Sequence, residues 1–299
     1  MIVNLDENAV RGLLQMEELI PAIASALADL SSKKAVQPVR VVLPVADHSG
    51  FFGVMPAYNG ALGAKIVTFY PQNKDVHTHH GVILLFRPET GEPIAVMDGR
   101  LITEMRTAAA SAVATDLLAR RDTNVLAIIG SGVQAASHLE ALSIGRKFNK
   151  VRVWSPRNAK AFAETHGVQA ASTAEEAVRG ADVIVVATSS MTPVLEGKWL
   201  SPGAHINAVG ANRPTWRELD DDALAAAKMF VDSREAAMVE SGDVIAAGQI
   251  FAEVGEVVAG ILPGRESEEE ITLFKSLGAA VEDIAAADLV YRKALLASV

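Results

Sequence analysis

The 299-residue sequence contains no cysteine. This absence excludes disulfide bonds, thiolate chemistry and cysteine-based metal sites. The chain also has no cluster of basic residues and a formal net charge of −9, so no nucleic-acid partner is expected. No uninterrupted apolar run is long enough to cross a membrane, and residues 1–14 lack the basic start and apolar core of a secretory signal. These absences predict a cytoplasmic protein with no membrane partner.

The chain is long enough for two domains, and the pattern of predicted strands and helices changes along the sequence. Residues 36–97 read as short strands separated by glycine-, asparagine- and proline-containing turns, which predicts a mostly antiparallel or mixed sheet. Residues 124–235 alternate buried strands with helices, which predicts a doubly wound parallel sheet of the Rossmann type. The fold class is therefore α/β. The tail Leu273–Leu296 is predicted to be helical and to pack on the first domain.

The segment 124–138, NVLAIIGSGVQAASH, carries the strongest motif in the chain. A buried strand, Val125–Ile129, runs into Gly130-Ser-Gly132-Val133-Gln134-Ala135 and then into a helix. The first glycine permits a tight turn, the second lets backbone approach a pyrophosphate, and the alanine lets the helix pack closely on the strand. The helix N-terminus then faces the phosphates with free N–H groups and the positive end of its dipole. This segment is predicted to bind a dinucleotide.

The end of the next strand indicates which dinucleotide. In NAD-binding folds an acidic residue at this place bonds the ribose 2′-hydroxyl. Here Val153-Trp154 is followed by Ser155, Arg157 and Asn158, with no acid. An arginine and a hydroxyl suit a 2′-phosphate that a carboxylate would repel. The sequence therefore favours NADPH, with NADH as the alternative if Arg157 is only a solvated turn residue.

Three cationic residues, Arg40, Lys65 and Arg106, lie in otherwise apolar segments. Buried cations are costly unless an anion pairs with them. A substrate α-carboxylate held by an arginine fork would be such an anion. The alternative is a set of internal salt bridges, for which the nearby sequence offers Asp98 and Glu104. The residues alone leave both interpretations open.

Many ordered segments resemble the ornithine cyclodeaminase/mu-crystallin family, and within it the mu-crystallin branch. The resemblance extends from about residue 36 to about residue 285. It is carried by the glycine loop and by the segments QPVR (37–40), GVMPA (53–57), KIVT (65–68), MDGRLIT (97–103), RTAA (106–109), PGAHINAVGA (202–211), RELD (217–220), ESGD (240–243), EVGE (253–256) and FKSLG (274–278).

The resemblance implies a Rossmann domain inserted in a substrate-binding domain that also forms a homodimer. The expected bounds are residues 1–118 with 270–299 for the substrate domain and 119–269 for the NAD(P)-binding domain. It also implies that Arg40, Lys65 and Arg106 bind the substrate carboxylate, with Lys65 and Arg106 as the catalytic pair. The remaining expected cofactor contacts are Thr107, Thr188, Val209, Ser276 and Gly278.

The resemblance also bears on three further positions: His79 and Glu253 match the family, whereas Asn212 departs from it. The family has a histidine lining the substrate site at His79. Together with His77 and His80 it also suggests zinc, but no further ligand stands at the right spacing, so no metal is expected. Glu253 would be a carboxylate of the substrate site. Asn212 stands where cyclodeaminases have an aspartate that acts on the substrate amine, and an amide cannot serve as a general base.

The resulting prediction is an NADPH-dependent reductase of imines that bear a carboxylate. Its substrate would be 1-piperideine-2-carboxylate, 1-pyrroline-2-carboxylate, or an open-chain imine formed from a 2-oxo acid and an amine. The alternatives are ornithine cyclodeamination, which Asn212 disfavours, and a crystallin-like protein that binds the cofactor without turnover. The acidic segments Arg217–Asp220 and Glu240–Asp243 are expected to be helix starts or junctions.

Overall fold

The structure is a computed structural model that describes residues 2–297. The predicted first domain also includes Met1, Ser298 and Val299, which lie outside the described residues. The chain divides into two compact units. Unit 1 comprises the residues up to Arg106 together with those from Gly278 onward, and unit 2 runs from Thr107 to Leu277.

The elements follow one another along the chain in three groups. The first group is β1 (Val3–Leu5), α1 (Glu7–Leu13), α2 (Met16–Ser31), β2 (Val41–Val45), β3 (Gly50–Tyr58), β4 (Leu62–Phe69), β5 (His79–Phe86), β6 (Pro93–Asp98) and α3 (Arg100–Leu118). The second is β7 (Val125–Ile129), α4 (Val133–Gly145), β8 (Lys150–Trp154), α5 (Ala159–His166), β9 (Gln169–Ala170), α6 (Ala174–Val178), β10 (Val183–Val186) and β11 (His205–Ala208). The third is α7 (Asp221–Ala226), β12 (Ala227–Val231), α8 (Arg234–Glu240), α9 (Gly242–Ala247), β13 (Ala252–Glu253), α10 (Val254–Val258), β14 (Ile271–Lys275) and α11 (Ala280–Ala297).

Unit 1 is built on a six-stranded sheet in the order β1-β6-β5-β4-β3-β2. The pairs from β2 to β6 are antiparallel, and β1 joins β6 in parallel, so the predicted mixed sheet is confirmed. Strand β3 alternates in burial, with Met55 and Ala57 inside, as expected for a sheet with one covered face. Helix α11 packs on β3, β4 and β5 and on α2. This packing brings the first turn of α11 onto the sheet.

Unit 2 contains an eight-stranded parallel sheet in the order β13-β12-β14-β11-β10-β7-β8-β9. Leu126 and Ile128 of β7 pack in one hydrophobic core, whereas Ala127 and Ile129 pack in another. Burial on both faces explains why this strand reads as a continuous apolar run. The predicted doubly wound fold is confirmed. Successive strands leave β7 in opposite directions along the sheet, so the topological switch point lies between β7 and β10.

The structure corrects the predicted C-terminal boundary. Ile271–Lys275 is not helical but forms β14, which pairs with β11 and β12 inside the parallel sheet. Unit 2 therefore continues to Leu277, beyond the expected end at residue 269. The first boundary also differs, because α3 changes units after Arg106 rather than ending in one of them. The prediction failed because a short strand that is buried on both faces shows no alternation of polar and apolar residues. Since this segment directly precedes an alanine-rich helix, it was read as part of that helix.

Candidate active site and cofactor site

The cations of unit 1 are paired with two acids from the C-terminal helix. Lys65 lies on β4 and Arg106 on α3, and both side chains are buried. Lys65 Nζ is 2.6 Å from Asp283 Oδ2. Arg106 bonds Asp283 Oδ1 through Nε at 2.9 Å and Glu282 Oε2 through Nη1 at 2.8 Å. We name Arg40, Lys65, Arg106, Glu282 and Asp283 the unit 1 charge cluster.

The turn before α11 holds this cluster together. Gly278 has φ +81°, a left-handed conformation that favours glycine, and a side chain there would overlap the Arg106 guanidinium. Its carbonyl oxygen accepts a hydrogen bond from Arg40 Nη2 at 2.7 Å. Gly278 is thus a structural element of the charge cluster within unit 1. Its predicted role as a cofactor contact stays a prediction.

The charges in the cluster shift one another's pKa values. Burial lowers the pKa of Lys65 to about 8, with Asp283 opposing this shift and Arg106 and Arg40 adding to it. Burial works to raise the pKa of Asp283, but the positive charges of Arg106 and Lys65 outweigh it and hold that pKa below its usual value. Lys65 is therefore a buried ammonium that keeps its proton at neutral pH and loses it as pH rises through about 8.

The ion pairs do not use the whole donor capacity of the cations. Lys65 Nζ contacts Asp283 and, at 3.4 Å, Thr103 Oγ1, whereas an ammonium carries three N–H donors. The Arg106 bonds to Glu282 and Asp283 use Nε and Nη1, and neither uses Nη2. Lys65 and Arg106 therefore each keep an N–H donor that Glu282 and Asp283 do not use. An arrangement of this kind suits one small anion.

The internal salt bridges anticipated as the alternative do exist, but with different partners. Asp98 accepts bonds from the backbone N–H groups of Arg100 and Leu101 and caps α3. Glu104 pairs with Arg100. The acids that neutralise Arg106 lie 176 and 177 residues further along the chain. Sequence reasoning missed them, because local spacing gives no sign of so distant a pair.

The glycine loop of unit 2 has the geometry that a dinucleotide requires. Gly130 has φ +120°, and a side chain there would overlap the carbonyl oxygen of Ala187. The backbone of the loop therefore packs directly against the backbone that follows β10. At Gly132 an added Cβ would meet no heavy atom within 4 Å, so open space lies in front of the helix N-terminus. Val133, the first residue of α4, is exposed, and Gln134 Oε1 is buried without a hydrogen-bond partner in the described residues. These features fit a bound pyrophosphate.

The turn after β8 is joined to the glycine loop. Ser131 Oγ donates to Ser155 Oγ at 2.8 Å, and the backbone N–H of Asn158 donates to the same oxygen at 3.1 Å. The Ser155 hydroxyl proton is left for another acceptor, and Arg157 lies exposed beside it. Four of the residues predicted to bind cofactor, Gly130, Gly132, Ser155 and Arg157, thus lie on two neighbouring loops at the carboxyl ends of β7 and β8.

A second buried charge network lies at the carboxyl ends of β10, β11 and β14. Glu218 Oε1 accepts bonds from the Thr188 backbone N–H at 2.8 Å and from Thr188 Oγ1 at 2.6 Å. Asp243 accepts the backbone N–H of Glu218 at 3.1 Å and pairs with Lys275 Nζ at 3.2 Å. Lys275 also donates to the Gly210 carbonyl oxygen. We name Thr188, Glu218, Asp243 and Lys275 the unit 2 charge cluster.

Burial raises the pKa of Glu218 to about 7, although Lys275 and the Thr188 hydrogen bonds oppose this shift. Sequence reasoning missed Glu218, Asp243 and Lys275, because RELD and ESGD read as polar helix starts. Part of that interpretation was right, since Asp220 does cap α7 and Ser241 caps α9. Neighbouring polar residues in such segments point inward, and no periodicity reveals which ones.

The other predicted cofactor residues of unit 2 have varied surroundings. Thr107 is buried on α3, and Val209 is buried immediately after β11. Ser276 follows β14, and its buried hydroxyl has no hydrogen-bond partner in the described part of the chain. Thr188 and Ser276 both lie at carboxyl ends of strands, the edge at which ligands bind in parallel sheets. Their contacts with a cofactor stay predictions.

The three residues singled out by the resemblance make other contacts within their own units. His79 begins β5 rather than preceding it, is exposed, and stacks with Phe69 at 4.4 Å between ring centroids. Asn212 is exposed and donates to the Val209 carbonyl oxygen at 3.2 Å. Glu253 caps α10 and accepts the Arg234 backbone N–H at 2.8 Å. Their proposed roles in substrate binding stay predictions.

Within residues 2–297 no group of three or more His, Cys, Asp or Glu side chains is placed to hold a metal ion. Over the same residues, no helix has the length and apolar character needed to span a membrane.

The parallel sheet, with its glycine loop at the switch point, defines a dinucleotide-binding protein of the Rossmann class. The chain belongs to the ornithine cyclodeaminase/mu-crystallin family, whose model matches residues 3–298. Ketimine reductase mu-crystallin of Mus musculus is 52% identical over 286 residues, which is 91% of this chain and 91% of that protein. The family prediction is confirmed.

Two solved structures are similar over the whole chain. The Delta(1)-pyrroline-2-carboxylate reductase of Thermococcus litoralis, in complex with NADH and L-proline, has a TM-score of 0.95 and 40% identity, covering 100% of this chain and 99% of its own. An archaeal alanine dehydrogenase dimer with bound NAD has a TM-score of 0.94 and 38% identity, covering 100% and 97%. Both proteins bind a nicotinamide dinucleotide.

Proposed function

We propose that this chain is an NADPH-dependent reductase that converts a small imine bearing a carboxylate into an amino acid. The observation that carries the proposal is the unit 1 charge cluster, in which the buried Lys65 and Arg106 keep N–H donors that Glu282 and Asp283 do not use. Two relatives support the substrate class, since one is named a ketimine reductase and the other a pyrroline-2-carboxylate reductase. Cyclic imines such as 1-pyrroline-2-carboxylate and 1-piperideine-2-carboxylate are the first candidates.

The substrate carboxylate would accept hydrogen bonds from the donors that the ion pairs of the cluster leave unused. Arg106 would bind it through Nη2, the part of its fork that Glu282 and Asp283 leave unused. Arg40 would bind the other side, because its guanidinium is fixed at the Gly278 carbonyl. With the carboxylate held at two points, the neighbouring C=N bond has a defined orientation, and much of the catalysis is positioning.

Lys65 is the proposed proton donor. Imine reduction breaks the C=N π bond and forms one C–H and one N–H bond, and the bound dihydronicotinamide supplies the hydride. The Lys65 ammonium supplies the proton to the imine nitrogen and regains one from solvent. A pKa of about 8 keeps Lys65 protonated at neutral pH while leaving it a stronger acid than an ordinary lysine.

The residues of unit 2 fit the cofactor. Gly130, Gly132 and the N-terminus of α4 would hold the pyrophosphate, with Val133 and Gln134 at the start of that helix. Ser155 and Arg157 would hold the 2′-phosphate, which is why NADPH is preferred to NADH. The two relatives of known structure bind NADH or NAD, so this preference depends on Arg157 in particular.

We also propose that the protein is a homodimer. Strand β2 is at an edge of the unit 1 sheet, and Val41, Val42 and Leu43 are between 49% and 66% exposed. An apolar edge strand left open is an aggregation hazard that a second copy would remove. The dimeric alanine dehydrogenase supports this assembly. The cytoplasmic location predicted from the sequence stays a prediction.

The test is oxidation of NADPH, followed by absorbance, with NADH in parallel. The substrates are 1-piperideine-2-carboxylate, 1-pyrroline-2-carboxylate, and pyruvate with ammonium or methylamine. We expect turnover of a cyclic imine, faster with NADPH than with NADH. No oxidation with any imine, in protein shown to bind NADPH, would contradict the proposal. Release of ammonia from ornithine with NAD⁺ would then favour cyclodeamination, despite the neutral Asn212.

A further inference from the structure

Two adjacent acids, Glu282 and Asp283, enter the unit 1 charge cluster, and their contacts differ. Both are fully buried in the first turn of α11, and both pair with Arg106. Asp283 alone of the two is paired with Lys65, with one carboxylate oxygen on each cation. Asp283 therefore fixes the distance between the ammonium and the guanidinium, whereas Glu282 acts on the guanidinium.

We infer that Asp283 is a positioning residue for imine reduction, which aims the Lys65 ammonium and keeps it protonated as the acid of the reaction. This inference rests on the proposed function, in which Lys65 donates the proton. Lys65 is placed by Asp283 Oδ2 at 2.6 Å and Thr103 Oγ1 at 3.4 Å. These two contacts restrict where the Lys65 ammonium can lie.

The charges around Lys65 explain why one carboxylate matters. Burial, Arg106 and Arg40 all disfavour the ammonium form of Lys65 and lower its pKa, and Asp283 opposes them by its charge. The hydroxyl of Thr103 adds no charge. Replacing Asp283 with asparagine would preserve the shape of the side chain and remove the opposing charge. Lys65 would then lose its proton at a lower pH, and less of the protein would carry the acid of the reaction at neutral pH and above.

The neighbouring acid provides a matched control. Glu282→Gln removes one buried charge from the same helix turn and weakens the support of Arg106, but leaves the Lys65–Asp283 pair intact. A merely structural role for the two acids predicts similar effects from both variants. A positioning role for Asp283 predicts that only Asp283→Asn changes the acid of the reaction.

The experiment measures kcat and KM against pH for the wild type, Asp283→Asn and Glu282→Gln. For the wild type we expect kcat to fall as pH rises through about 8. In Asp283→Asn this fall should move at least one pH unit lower, which decreases kcat at the higher pH values about tenfold for each unit. In Glu282→Gln, KM should rise and the pH at which kcat falls should stay unchanged. Asp283→Glu, which keeps the charge, should restore the wild-type profile in part.

A second measurement does not depend on turnover. Nitrogen-15 NMR of the lysine side chains follows the Lys65 ammonium during a pH titration, with Lys65→Arg used to assign the signal. We expect the titration of Lys65 to shift to lower pH in Asp283→Asn and to stay in place in Glu282→Gln. Unchanged titration in Asp283→Asn, or an equal shift in both variants, overturns the inference. Failure of the wild type to reduce any imine instead refutes the proposed function, and with it the donor role of Lys65.

Discussion

Replacement of Glu218 by glutamine should change how the stability of unit 2 depends on pH. The native pKa of Glu218 is about 7, against an ordinary value of 4.5. Because the native state holds this proton more tightly, the contribution to stability is fully present below about pH 4.5. It is lost as pH rises through about 7. Each pKa unit corresponds to about 1.4 kcal/mol, so the full effect is on the order of 3 kcal/mol.

The substitution preserves the hydrogen bonds of the cluster. A glutamine oxygen can accept both bonds from Thr188, while the charge that opposes folding at higher pH is removed. We therefore expect Glu218→Gln to gain stability relative to the wild type as pH increases from about 5 to about 8.

The assay is urea denaturation at several pH values, followed by tryptophan fluorescence. The three tryptophans of the chain, Trp154, Trp199 and Trp216, all lie in unit 2, so the signal reports on that unit. Glu140→Gln is the control, because it removes the same charge from an exposed position on α4. If the free energies of unfolding of the wild type and Glu218→Gln stay parallel over this pH range, the reasoning is refuted.

Three further substitutions test the proposed sites. Arg106→Lys keeps the positive charge but loses the forked guanidinium, which costs about 1.5–3 kcal/mol of substrate binding. KM for the imine should therefore rise roughly 10- to 100-fold. An equal loss of NADPH affinity in a binding titration would contradict a role in the substrate site. Arg157→Ala should weaken NADPH binding by a similar factor and leave NADH binding unchanged; an unaltered ratio of the two dissociation constants would count against the 2′-phosphate assignment. Leu43→Lys should shift the mass measured by light scattering from dimer to monomer; a dimer that persists would place the interface elsewhere.

The sequence predicted features that depend on local patterns. The strand Val125–Ile129 and its glycine loop were recognisable because a parallel strand buried on both faces is uniformly apolar and glycine alone fits a tight turn. The segments Arg217–Asp220 and Glu240–Asp243 were recognisable as helix starts, and Asp220 and Ser241 do cap α7 and α9. Features of this kind involve a few consecutive residues, so their physical causes are visible in a short segment.

Other features depend on which distant segments meet. Lys65 and Arg106 were recognised as unusual, but Asp283 was missed, because its partner Arg106 is 177 residues away. Strand β14 was missed for a similar reason: Ile271–Lys275 becomes a strand by entering the gap between β11 and β12. Intrinsic preference is weak for so short a segment, and tertiary packing decides its structure.

The separation of Arg106 from its acids also has a consequence during protein synthesis. A ribosome adds about 5–20 residues per second, so the 177 residues between Arg106 and Asp283 take roughly 9–35 s to make. All residues of unit 2 are synthesised in that interval, whereas unit 1 cannot be completed until α11 has been made. Until then, Lys65 on β4 and Arg106 on α3 lack the acids of α11 with which they pair. Premature termination after Leu277 would thus leave a finished parallel sheet joined to a unit with unneutralised charge, a product suited to removal by proteolysis.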